Sequence, residues 1–122
     1  MPLAKNVMQG GFSSGQARAI NGTAFNLTIS AAGTTQGTAT ALTADINIVT
    51  TATSLQGVQL YNGTIGDEQT VFNKTLVPIY VYPPTGATVN QLAANAGFVL
   101  ASYTGVMVQK IDTGAWLGIL SA

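Results

Sequence analysis

The side chains that could do acid, base or metal chemistry in this chain are few and scattered. Asp45, Asp67, Glu68 and Asp112 are the only carboxylates among 122 residues, and there is no His and no Cys. Ser-His-Asp and Cys-His nucleophilic sites both need an imidazole, so neither can be built. The common zinc and copper sites need His or Cys and are excluded with them. Two of the four carboxylates could still meet in space as a glycosidase pair. Turn and solvent-face positions are the ordinary reading of each. Asp67-Glu68 and Asp112 could hold Ca²⁺, but no EF-hand spacing accompanies them. The cations Lys5, Arg18, Lys74 and Lys110 form no cluster. That is too little positive charge for nucleic-acid binding through phosphates. The expectation is a non-enzymatic protein with no catalytic residues, no cofactor, no metal and no nucleic-acid partner.

Aromatic residues are the next candidates. Trp116 could be a stacking platform for a sugar or base, but a lone Trp beside Leu117 and Ile119 is expected in the core or in a subunit interface. In Leu76–Tyr82, Ile79 and Val81 take one face of a strand, and Tyr80 and Tyr82 share the other. That second face is either a binding patch, such as a glycan groove with Tyr61 and Tyr103, or a core edge with satisfied hydroxyls. Asn21, Asn26, Asn62 and Asn73 each begin an Asn-X-Thr triplet. With no apolar stretch of a secretory signal near the N-terminus, these read as chance in a Thr-rich chain.

Elements must position these groups, and composition limits what those elements can be. The length fits one domain with a modest core. Charged residues make up 7%, against about 25% in an ordinary soluble domain, and the formal net charge is zero. A neutral, charge-poor surface tends to associate. Membrane insertion is not expected, because Gly, Thr, Asn and Gln interrupt every stretch before about 18 apolar residues accumulate. Association with copies or partners remains.

Residues 1–23 read as an extended N-terminal arm, with Gly10-Gly11 and Ser13-Ser14-Gly15 breaking any period. It is either a poorly ordered tail or an arm that docks on a neighbouring subunit through Met8, Phe12 and Ile20. Residues 24–122 form the domain. In Ala24–Ser30, alternation places Phe25, Leu27 and Ile29 on one face. In Asp45–Thr51 it places Ile46 and Ile48 inward. Thr38–Ala44 favours strand by its Thr content. Further short strands follow, separated by Asn62-Gly63, a favoured hairpin dipeptide, Gly66-Asp67, Pro83-Pro84-Thr85-Gly86 and Asp112-Thr113-Gly114. Pro78 costs a ladder donor, so it belongs at an edge, a strand start or a bulge. Strands this short and this closely spaced predict an all-β fold, a small sandwich or barrel, jelly-roll-like, of short antiparallel strands.

From Gly33 onward the chain resembles a small β-domain found in virion proteins of tailed bacteriophages. Gly33-Thr34-Thr35-Gln36, Ala41-Leu42-Thr43-Ala44-Asp45, Gly57-Val58-Gln59-Leu60, Gly66-Asp67 and Val71-Phe72-Asn73 carry the likeness. Val81-Tyr82-Pro83-Pro84-Thr85-Gly86-Ala87-Thr88-Val89-Asn90, Ala93-Ala94-Asn95-Ala96 and Asp112-Thr113-Gly114-Ala115-Trp116 complete it. The order of these pieces over roughly three-quarters of the chain is what resembles the group. Gln91 stands where a glycine is common, and the arm carries no part of the pattern. Within the group the likeness is greatest to head decoration (cement) proteins. It implies a partner in the major capsid protein, self-association as a homotrimer, and a place on the capsid surface after synthesis in the host cytoplasm. Fibre and spike modules that bind a receptor or glycan belong to the same group and are the alternative.

Overall fold

A computed structural model describes residues 24–121 of this protein. The expected arm, and with it Met8, Phe12 and Ile20, lies outside the described residues. Ten strands follow in order: β1 (Phe25–Ser30), β2 (Thr40–Ala41), β3 (Ile46–Thr51), β4 (Gly57–Gln59), β5 (Glu68–Asn73), β6 (Ile79–Tyr82), β7 (Thr88–Val89), β8 (Phe98–Leu100), β9 (Gly105–Asp112) and β10 (Ala115–Leu120). One 3₁₀ turn, Gln36–Thr38, precedes β2, and there is no α-helix among the described residues. The fold is all-β, as the short alternating segments predict.

The strands lie in two sheets, ordered β1-β3-β5-β9-β10-β7 and β2-β4-β6-β8. From β1 to β9 the chain crosses to the other sheet after every strand. Through the first six strands, neighbours within a sheet are therefore two strands apart in sequence and run parallel, whereas β7 lies at the far edge of the larger sheet, parallel to β10. Phe25 stacks beside Ile46 and Ile46 beside Thr70 in one sheet, as Thr40, Val58 and Val81 do in the other. This is solenoid-like winding. The direction then reverses: β8 runs antiparallel to β6, β9 antiparallel to β5, and β10 returns along β9.

The expectation of an antiparallel, jelly-roll-like sandwich or barrel is corrected here. Alternation reports that a strand is half-buried but not the direction of its partner, because side-chain period is two in both kinds of ladder. Asn62-Gly63 does not close a hairpin. It lies on the crossing from β4 in one sheet to β5 in the other. The β9–β10 hairpin turns instead at Thr113-Gly114, with Gly114 at φ 73°. Pro78 sits immediately before β6, the strand start it was expected to mark.

One apolar core fills the space between the sheets. Val58, Ile79, Val81 and Leu100 from the four-stranded sheet join Val49, Val71, Val108 and Trp116 from the six-stranded one, all essentially without solvent contact. Burying each such side chain contributes about 1.5–3 kcal/mol. The core also holds amides. Asn73, at the end of β5, donates from Nδ2 to the carbonyls of Val77 (2.8 Å) and Leu100 (3.0 Å) and accepts from the Thr75 N–H and hydroxyl. Gln69 exchanges two hydrogen bonds with the backbone of Tyr61. In β3, Asn47 and Val49 point inward, so the expected inward placement of Ile46 and Ile48 is reversed. Asn47 can take a core position because its amide donates to the carbonyls of Ala44 and Thr70. In β1 only Ile29 is buried, since register shifts on either side of it break the alternation.

Candidate interaction surface

The outer face of the six-stranded sheet is an organised surface of the described residues that the core does not use. In β5, Gln69, Val71 and Asn73 are buried, which turns Glu68, Thr70 and Phe72 outward. In β9 the inward residues are Val106, Val108 and Lys110, which turns Met107, Gln109 and Ile111 outward. The buried Trp116 does the same for Leu117 and Ile119 in β10. Strand register then sets these side chains in rows. One row crosses five strands as Phe25, Ile46, Thr70, Met107 and Ile119. Its four apolar members are between 40% (Ile46) and 70% (Ile119) exposed. A second row is Ile48, Phe72 and Gly105, with Tyr103 packed edge-on against Phe72 at a centroid distance of 6.4 Å. A third is Glu68, Gln109 and Leu117. Thr70, Met107 and Ile119 also line a shallow groove of about 340 Å³ on this face. Exposed apolar surface of this kind is the sort on which proteins meet partners, membranes or ligands.

The aromatic residues singled out from sequence lie elsewhere. Tyr80 and Tyr82 stack on each other with ring centroids 5.6 Å apart. Tyr82 is buried, and its hydroxyl donates to the Thr34 carbonyl (3.1 Å). Burial, with Tyr80 beside it, raises the Tyr82 phenol above its ordinary range. Tyr80 is half-buried. Trp116 belongs to the core, and its indole N–H has no hydrogen-bond partner among the described residues.

The carboxylates are tied to local structure. Asp45 accepts from the Tyr61 hydroxyl (2.6 Å) and from the Ala24 N–H (3.2 Å). Burial first, and then that hydrogen bond to Asp45, hold the Tyr61 phenol far above its ordinary range. Asp67 accepts from the Thr64 N–H, and Asp112 from the Thr113 N–H. Among the described residues no three metal-ligating side chains come together. No helix among them is long and apolar enough to cross a membrane.

Sequence reasoning missed Lys110 and the outer row. Lys110 points inward from β9, is 8% exposed, and donates from Nζ to the Gly63 carbonyl (2.7 Å) and to Asn62 Oδ1 (3.1 Å). It ties the β4–β5 crossing to β9. The signal for the outer row was present in the alternation of β9 and β10, but nothing in the sequence gave its sign. No family model matches the chain, and no curated protein matches it either.

Proposed function

We propose that this chain is a non-enzymatic structural protein of a tailed-phage virion: a decoration protein that binds the assembled head lattice as a homotrimer and stabilises it. The observation that carries the reading is the apolar outer face of the six-stranded sheet. A protein whose work is bridging neighbours needs surface to give away, and here apolar surface is exposed across five consecutive strands. The scarcity of charge, 7% of residues, supports it, since a covered surface needs little charge for solubility. The ordered series of phage-like segments from Gly33 to Trp116 supports the choice of virion.

The described residues expose 6634 Å², and a standard interface buries about 800 Å² per partner. Contacts with a copy and with the major capsid protein could therefore share this surface. A ligand that binds only the assembled lattice stabilises it by mass action. Joining several weak sites through an oligomer adds avidity. The test is heat resistance of expanded heads with and without the protein. Heads that carry it should release their DNA at a higher temperature. Equal release temperatures would overturn the proposal.

The glycan-binding alternative finds less support. It relies on Tyr80 and Tyr82 as a wet aromatic patch, and Tyr82 is packed inside the domain with its hydroxyl satisfied.

A further inference from the structure

From the winding of the fold and a repeat in the sequence we infer that residues 3–24 form one further winding of the same chain, stacked in parallel on β1 and β2 and closing the open end of the solenoid. This takes the place of the extended arm expected from composition. It does not rest on the assembly reading, and it leaves the outer apolar face uncovered.

β1 and β2 make up the first winding, and each is an edge of its sheet. A terminal coil exposes the core surface that a neighbouring coil would cover, so a solenoid needs a cap there. A cavity of about 290 Å³ lies at this end, lined by Ile29, Leu42 and Asn47 among others. Asn47 is fully buried, and its Oδ1 has no hydrogen-bond partner among the described residues. Apolar walls and an unmet acceptor therefore lie together where the first winding begins. Ala24 is already seated beside them, its carbonyl accepting from the N–H groups of Asp45 and Ile46.

The sequence before Ala24 repeats the first winding. Gly11–Ile20 reads Gly-Phe-Ser-Ser-Gly-Gln-Ala-Arg-Ala-Ile, and Gly33–Leu42 reads Gly-Thr-Thr-Gln-Gly-Thr-Ala-Thr-Ala-Leu. At a spacing of 22, four of the ten positions are identical, and Ser13/Thr35 and Ile20/Leu42 are close replacements. The same spacing sets Leu3 on Phe25 and Val7 on Ile29. It is also the pitch of the fold: 21 residues separate Phe25 from Ile46, 24 separate Ile46 from Thr70, and 23 separate Val58 from Val81.

The matched positions are the ones the winding needs. Gly33, at φ 66°, has no room for a Cβ against Thr38, and Gly11 holds its place in the repeat. Thr35 and Thr38 cap the turn before β2. Ser13 and Gln16 stand at the same two places, with the spacing of a capping box. Val7 and Ile20 fall on the buried Ile29 and Leu42, whereas the charged Lys5 and Arg18 fall on Leu27 and Thr40, neither of them buried.

The connection decides whose winding it is. Packed sheets lie ~10 Å apart, and at about 3.3 Å per residue Asn21–Ala24 is enough chain to cross between them. Ile20 of the same chain therefore reaches the cavity, and a short tether gives it an effective concentration in the millimolar range.

The experiment is hydrogen exchange of the full chain, without heads, at two concentrations. Amides of residues 3–8 and 16–20 should exchange at least about a hundredfold more slowly than in an unstructured peptide, and equally so after dilution. Ile20→Asp should raise the unfolding equilibrium constant about tenfold or more, as a charge placed in a core does. The chain has no Cys, so Leu3→Cys with Phe25→Cys should give one disulfide within one chain. Leu3→Cys with Ser30→Cys, the pairing of an antiparallel strand, should link poorly. These readouts stand even if Ile20→Asp fails to fold. Rapid exchange of residues 3–8, protection lost on dilution, a link joining two chains, no preference for Phe25 over Ser30, or a neutral Ile20→Asp would each overturn the inference. None of these outcomes depends on whether the protein binds heads.

Discussion

Gly97 sits so close to the ring of Tyr82 that a Cβ on Gly97 would lie 2.7 Å from the ring carbon Cδ1. On the opposite side of the ring Gly57 leaves a gap of the same kind, where a Cβ would lie 2.6 Å from Cε2. Two glycines thus make a slot for one aromatic ring between β4 and the segment before β8. The slot explains how Tyr82 can be buried on the face opposite Ile79 and Val81 without opening the sheet. Gly97→Ala and Gly57→Ala should each overfill it and lower stability by about 1–3 kcal/mol. Gly37→Ala, where a Cβ meets nothing within 4 Å, is the control and should change stability little. Thermal unfolding of the three variants separates the cases. Equal melting temperatures would show that the slot does not constrain the ring.

Asn73 closes the far end of β5 by bridging the loop before β6 and the end of β8. Replacing it with Ala removes the donor to the carbonyls of Val77 and Leu100 and the acceptor of the Thr75 N–H, with only the Thr75 hydroxyl remaining on the Val77 carbonyl. Unsatisfied buried groups cost about 1–3 kcal/mol each when no water reaches them. Asn73→Ala should therefore cost about 2–4 kcal/mol, read as a lower urea midpoint at unchanged slope. A loss below about 0.5 kcal/mol would mean that the network is replaceable.

The Tyr61–Asp45 hydrogen bond gives a pH signature. Burial and the Asp45 carboxylate both disfavour the phenolate, so the folded state keeps Tyr61 protonated above the unfolded value of about 10. The contribution of this group to stability is complete below pH 10 and is lost as pH rises above it, because the unfolded chain ionises first. Tyr82 shifts in the same direction. Ultraviolet titration of the native protein should show late-ionising tyrosine, and Tyr61→Phe should remove part of that late amplitude. An identical titration curve for Tyr61→Phe would contradict the assignment. Tyr61→Phe should also flatten the fall of stability above pH 10.

Lys110 should matter as a tie rather than as a surface charge. Lys110→Ala frees the Asn62-Gly63 crossing from β9 and should destabilise the domain by about 1–2 kcal/mol. Lys74→Ala, a surface replacement on an exposed residue, should stay within about 0.5 kcal/mol. Chemical denaturation of the pair checks this, and equal midpoints would overturn it.

Local features were legible in the sequence, and long-range ones were not. Pro78 marked a strand start, and Asp112-Thr113-Gly114 marked the β9–β10 turn, because both act through their own backbone torsions. The Pro83–Gly86 turn was legible for the same reason, although its hydrogen bond runs from the Ala87 N–H to the Pro84 carbonyl, with Gly86 at φ 83°. Direction was hidden. Whether Gly57–Gln59 pairs with a neighbour in sequence or with a strand two elements away depends on contacts no short window contains. The sign of a face was hidden too. Ile46 and Ile48 outweigh Asn47 and Val49 on a hydropathy scale, yet β3 turns Asn47 inward, where its amide nitrogen donates to two carbonyls and its Oδ1 has no partner among the described residues. The candidate interaction surface followed from that reversal. Once Ile46 faces out, register carries the apolar row through Thr70 to Met107 and Ile119.

Binding to the assembled head lattice is tested most directly by co-sedimentation of the purified full chain with mature, expanded heads of the parent phage. Saturable binding at a fixed ratio to the major capsid protein, with none to tails or to host cells, is the expected result. Absence from the head pellet, with retention on tails or cell-surface glycan, would contradict the decoration role.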